Sequence, residues 1–201
     1  MVQLSRRLIC YVRRANLKAI MRQAKVKFTY HDYLLLSDDK RYEILEGDLY
    51  VVPAPSTSHQ RISRNLEMAL INYVRQNDLG EVFDAPYDVI LSEENVVQPD
   101  LLFVCKQRSG IVGTENIQGP PDLVIEILSP GTKSKDLDIK RKLYAKYGIR
   151  EYWTVDPAAK TLEISLWSEA GYQSAGVYPH TALVSSPLLP DLELPLAEIF
   201  H

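Results

Sequence analysis

The run Leu123-Val124-Ile125-Glu126-Ile127-Leu128 limits the fold more than any other stretch of the chain. Its apolar residues occupy successive positions, so a strand built from it must be covered on both faces, as in the middle of a sheet packed between layers. Glu126 is the exception. A buried, unpaired carboxylate costs at least several kcal/mol, so this one must meet a cation, either a side chain or a metal.

The elements around this strand follow from periodicity. Thr29 with Asp32 three places on forms a capping box that opens a short helix through Leu36. Tyr42–Leu45 and Leu49–Val52, joined by Glu46-Gly47-Asp48, read as a hairpin that Pro53 and Pro55 stop. From Ser56 or Ser58, the apolar positions Ile62, Leu66, Ala69, Leu70, Tyr73 and Val74 make a helical stripe that Gly80 ends. Val82–Leu91 and Val96–Cys105 read as two strands joined by a polar turn, and a Gly-rich loop covers residues 106–121. After Ser129-Pro130-Gly131 a helix is expected from about Ser134 to Tyr147, then a strand at Glu151–Val155 and a hairpin of Thr161–Trp167 with Tyr172–Tyr178. The order predicts a mixed α/β domain, a central sheet with a helix on each face.

Charge is uneven along the 201 residues. Residues 1–27 carry eight basic residues and no acid, which leaves 15 Lys and Arg against 26 acids in residues 28–201, a body of about −11. That balance excludes strong non-specific phosphate binding by the surface at large, so a nucleic-acid role requires cations. Residues 1–27 are expected to form a basic extension outside the core: a solvated tail, a nucleic-acid arm, or sequence preceding a start at Met21. Residues 28–201 are expected to form one domain. Two cysteines, Cys10 and Cys105, give no disulfide framework, and the apolar Leu8–Val12 is broken by Arg13 and Arg14. A reducing cytoplasm is the expectation. No apolar run approaches the ~18 residues of a membrane-spanning helix.

Of three charged residues nearby in the sequence, two can converge on Glu126. Asp122 shares its strand face but lies roughly 13 Å away at about 3.3 Å per residue, too far to share a cation. Asp100 follows Pro99 at the start of the preceding strand and meets Glu126 if the two strands pair. On the following helix Leu137, Lys140, Tyr144 and Tyr147 fall within about 80° of one another, which places Lys140 on the inward stripe. Such a lysine either neutralises Glu126 in a structural salt bridge or orients a water beside it.

Five blocks of the sequence, in order, carry a resemblance. Tyr42-Glu43-Ile44-Leu45-Glu46-Gly47-Asp48-Leu49, Pro55-Ser56 to His59-Gln60, Gln98-Pro99-Asp100, Pro121-Asp122 through Ser129-Pro130, and Lys140–Tyr144 leading into Glu151-Tyr152-Trp153 resemble the Uma-two family of the PD-(D/E)XK, restriction-endonuclease-like superfamily. The likeness covers residues 28–200. It implies a restriction-endonuclease-like core, a mixed central sheet flanked by helices with added N-terminal and C-terminal hairpins.

It also implies a metal-dependent endonuclease acting on phosphodiester bonds, with DNA as the substrate. Asp100 matches the proline-aspartate position and Glu126 the acid of the second motif. Leu128 stands where the motif has lysine, and Lys140 matches a lysine that has migrated to the helix. Asp100, Glu126 and the Ile127 carbonyl would bind Mg²⁺ or Mn²⁺, whose hard character suits oxygen ligands, while Lys140 would position the attacking water or offset charge. Glu43 either completes this metal site or is a surface hairpin acid. His59 either faces the site or is a polar residue of a helix start, and Tyr144 either holds Lys140 or fills core. Tyr152 and Trp153 read as packing, and Cys105 as a buried residue rather than a nucleophile. The alternative function is an inactive nuclease fold serving as a nucleic-acid or protein interaction module. A homodimer is expected, since such nucleases pair to cut both strands and the apolar segment 188–200 can cover a partner or its own sheet.

Overall fold

A computed structural model describes residues 26–37, 40–129 and 135–201. The expectation for residues 1–25 and that for the Ser129-Pro130-Gly131 turn from Pro130 onward lie outside the described residues.

A short helix α1 (Tyr30–Tyr33) opens on the capping box, with the Thr29 hydroxyl accepting from the Asp32 amide and the Asp32 carboxylate accepting from the Thr29 amide. β1 (Arg41–Leu45) and β2 (Asp48–Val52) form the expected hairpin, with Arg41 opposite Val52 and Leu45 opposite Asp48. Glu46 and Gly47 make the turn at φ values of 52° and 77°, the left-handed pair that suits a tight hairpin between right-twisted strands. α2 (Thr57–Gln76) starts at the Ser56 cap and buries Ile62, Leu66, Leu70 and Val74. It ends with Asn77 as its cap, short of Gly80. Gly80 instead begins β3 (Gly80–Asp84), where a Cβ would lie 2.1 Å from the Val104 carbonyl oxygen.

Both long strands expected from the sequence are broken, each at a proline. Residues 82–91 divide into β3 and β4 (Asp88–Ser92) around Pro86, and residues 96–105 into β5 (Asn95–Val97) and β6 (Leu101–Cys105) around Pro99. Proline has no amide hydrogen for a ladder, so the chain leaves one sheet at each of these points and enters another. The Ala85 amide donates to the Asp100 carbonyl at 3.1 Å, so the two crossings lie side by side.

The rest follows in order: a 3-10 turn at Lys106–Ile111 and β7 (Asn116–Gln118) inside the expected loop, β8 (Leu123–Ile127), a wide helical turn at Lys135–Lys140 continuing as α3 (Arg141–Lys146), β9 (Glu151–Asp156), and the hairpin β10 (Thr161–Ser168) with β11 (Gly171–Pro179). The chain closes with β12 (Leu183–Val184), β13 (Leu194–Pro195) and α4 (Leu196–Ile199).

Among the described residues the strands form a six-stranded mixed sheet of order β11-β10-β9-β8-β6-β3 and a five-stranded sheet of order β2-β1-β5-β4-β7, besides the small β12-β13 pair. β8 is central, antiparallel to β6 and parallel to β9. Its Leu123, Ile125 and Ile127 face α2 and the C-terminal segment, in a core that includes Leu66, Leu101, Trp153, Leu189, Leu192 and Leu196. Burying a side chain such as Leu66 contributes about 2 kcal/mol. Val124 faces the other way, toward Val89, Val97 and Ile117 of the five-stranded sheet and Leu143 and Tyr144 of α3. The second face of the central sheet is thus covered by a sheet and a short helix together. Segment 188–200 packs into its own core.

Candidate functional site

Strand alternation puts Glu126 on the Val124 face of β8, toward α3 and β1. It is 3% exposed. Lys140, at the start of α3, places its Nζ 2.9 Å from Glu126 Oε1 and 2.8 Å from Glu43 Oε1, and is itself 4% exposed. One turn on, the Tyr144 hydroxyl donates to Glu126 Oε1 at 2.6 Å. Tyr144 therefore holds the carboxylate rather than the lysine. Its burial, with the charges of Glu126 and Glu43 beside it, pushes the phenol well above its usual range, so it remains a proton donor to Glu126.

Asp100 arrives from the neighbouring strand. Leu101 pairs with Ile125 in an antiparallel ladder, and one step further brings Asp100 alongside Glu126. Asp100 Oδ2 accepts from the Ile127 amide at 2.7 Å and lies 3.1 Å from His59 Nε2. The first turn of α2 supplies that imidazole, and the Ser56 cap accepts from the His59 amide. Its Nδ1 is buried and without a hydrogen-bond partner among the described residues.

Glu43 faces inward and not toward solvent, because β1 is covered on both sides and Glu43, Ile44 and Leu45 are all buried. Its Oε1 also accepts from the Gln98 amide at 2.8 Å. The Gln98 side chain donates to Asp88 Oδ1 at 2.8 Å, and the Tyr33 hydroxyl donates to the same oxygen at 3.0 Å.

All of the expected site residues except Tyr144 line one cleft of about 690 Å³ at the seam between the two sheets. Arg41 and Arg64 contribute further positive charge to its walls, and Glu67 and Asp84 further acid. Burial, with Asp84 nearby, raises the Glu67 carboxyl above its usual value. Asp122 is elsewhere, at the far end of β8, where it is fully buried against Arg108 at 3.0 Å and the Cys105 amide at 2.9 Å. Tyr152 and Trp153 are fully buried, as packing residues should be, while Cys105 is half-buried with its thiol pushed up by desolvation and Asp122.

The donor set fits a hard divalent ion. Asp100, Glu126 and Ile127 all border the cleft, and the two carboxylates offer oxygen. Among the described residues no three His, Cys, Asp or Glu side chains come together as a cage, which is compatible with Mg²⁺, an ion commonly held by one or two carboxylates with water and phosphate as further ligands. Within the cluster three carboxylates, Glu43, Asp100 and Glu126, face one ammonium, Lys140.

A mixed central strand carrying a buried acid, a second acid on the adjacent strand and a lysine from the next helix define a restriction-endonuclease-like α/β protein. The chain belongs to the Uma2 family, described as "Putative restriction endonuclease", whose pattern matches residues 29–197. It is 28% identical over 145 residues to the uncharacterized protein slr1290 of Synechocystis sp., spanning 70% of this chain and 74% of that protein. Its fold is that of the crystal structure of "a putative nuclease belonging to DUF820" from Anabaena variabilis ATCC 29413. The TM-score is 0.72 at 21% identity, covering 86% of this chain and 97% of the other.

Proposed function

We propose that this protein is a metal-dependent endonuclease that hydrolyses phosphodiester bonds in DNA, with Asp100 and Glu126 holding Mg²⁺ or Mn²⁺ and Lys140 serving the attacking water. The observation that carries this reading is the pair of carboxylates from adjacent strands, Asp100 and Glu126, that border one cleft together with Lys140. Family membership and the likeness to a nuclease structure support it. When bound, the divalent ion supplies Lewis-acid polarisation of the phosphate and a more acidic water. The chain's own residues do the rest. The Ile127 amide and His59 fix Asp100, Tyr144 fixes Glu126, and the Lys140 ammonium lies where it can orient a water or offset charge that develops on the phosphate.

One observation favours the second reading, an inactive nuclease fold used for binding. Lys140 already makes two short ion pairs, the contacts that a purely structural bridge would make. The two readings separate in one experiment, Mn²⁺ calorimetry alongside cleavage of plasmid and oligonucleotide DNA. The nuclease reading expects Mn²⁺ binding that Asp100→Asn removes together with cleavage. A wild-type protein that binds no divalent ion, or binds it and cuts nothing, overturns it.

A further inference from the structure

We infer that Glu43 is a positioning residue that sets Lys140; the inference rests on the nuclease reading above. Lys140 reaches the site from a helix, on a flexible four-carbon stem, so the groups that meet its ammonium decide where its charge lies. Glu43 gives it a second anchor at 2.8 Å, and the two acceptors come from different sheets, Glu126 from the six-stranded and Glu43 from the five-stranded. The ammonium is thereby fixed between them.

Glu43 is itself fixed. The oxygen that receives Lys140 also accepts the Gln98 amide at 2.8 Å. Two donors on one oxygen hold that carboxylate in place. Gln98 is two residues from Asp100, and its side chain is tied to Asp88, which the Tyr33 hydroxyl also meets. The hairpin strand β1, strand β4 and helix α1 thus bear on Lys140 through Glu43 and Gln98. By this account the five-stranded sheet is the mount of the lysine, and its register, with Ile44 opposite Val96, sets the distance.

The test uses the full chain, Mn²⁺ alone as the metal probe, and a fluorescent DNA duplex as substrate. Glu43→Met, which cannot accept a hydrogen bond of this kind, is expected to lower kcat about 10- to 100-fold with little change in KM. Its Mn²⁺ affinity should stay within about fivefold of wild type, well short of the loss for Asp100→Asn. Glu43→Gln keeps an acceptor for Lys140 and the Gln98 amide, so it should recover much of the rate, and it serves if the Met variant does not fold. In metal-free protein the Lys140 ammonium signal in ¹⁵N NMR, assigned through its disappearance in Lys140→Met, should be slow to exchange in wild type and should shift or broaden in Glu43→Met. Loss of Mn²⁺ affinity in the Glu43 variants comparable to Asp100→Asn, an unchanged kcat, or an unmoved Lys140 signal overturns the assignment. Should the wild type cut no DNA, the nuclease reading fails while the Mn²⁺ and NMR measurements still decide what Glu43 does.

Discussion

Lys140 touches two buried carboxylates, so its removal is the most informative single change. Lys140→Met leaves Glu43 and Glu126 uncompensated and should cost the metal-free protein about 3–5 kcal/mol by denaturant melting. Glu126→Gln added to it should restore part of that loss, since the pair is coupled. On the nuclease reading saturating Mn²⁺ also restores stability, with cleavage still absent; strong destabilisation that persists in Mn²⁺ and is relieved only by Glu126→Gln identifies a structural bridge. Glu126 was legible in the sequence because a charge inside an apolar run has few explanations, and Lys140 because helical spacing gives it a direction. Glu43 was not decidable, since a hairpin alternates two faces and only tertiary packing says that β1 is covered on both. The role of Gln98 was out of reach altogether. It acts through a backbone amide, which residue type does not reveal.

At the scale of elements, α1 offers a clean measurement. Thr29→Ala removes the cap and should cost about 1 kcal/mol near neutral pH. The Thr29 amide and hydroxyl hold the Asp32 carboxyl below its usual 3.8. A depressed folded-state pKa stabilises fully above the unfolded value and loses that contribution as pH falls through the folded one. The gap between wild type and Thr29→Ala, followed by thermal melts, should therefore narrow below pH 3.8. The strands show a limit of periodicity. Apolar alternation located the strands at 82–91 and 96–105 but not their breaks, although Pro86 and Pro99 marked both places. Similarly, a run buried on two faces told that β8 is sandwiched but not that a second sheet does half of the covering.

For the whole molecule, protein starting at Met21 is expected to melt with the full chain, because residues 1–25 lack a sustained apolar stripe and precede the Thr29 cap. A large fall in melting temperature would place part of that segment in the core. A dimer remains the expected assembly and is read directly from the mass in light scattering at micromolar protein. Its interface cannot use the apolar residues of segment 188–200 that line the monomer's own core. The crossings at Pro86 and Pro99 interleave the two sheets along the chain: β1 and β2 belong to one, β3 to the other, β4 and β5 to the first, β6 to the second. No continuous fragment contains one of these two sheets without strands of the other, so neither is expected to be excised as an independently folded piece. Far-UV circular dichroism, which sees both sheets, and the fluorescence of buried Trp153, which sees only the six-stranded one, should lose their native signals at a single denaturant midpoint. A protease that opens either sheet should then find both open, and on the nuclease reading bound Mn²⁺ is expected to protect the two sheets from digestion together rather than one alone.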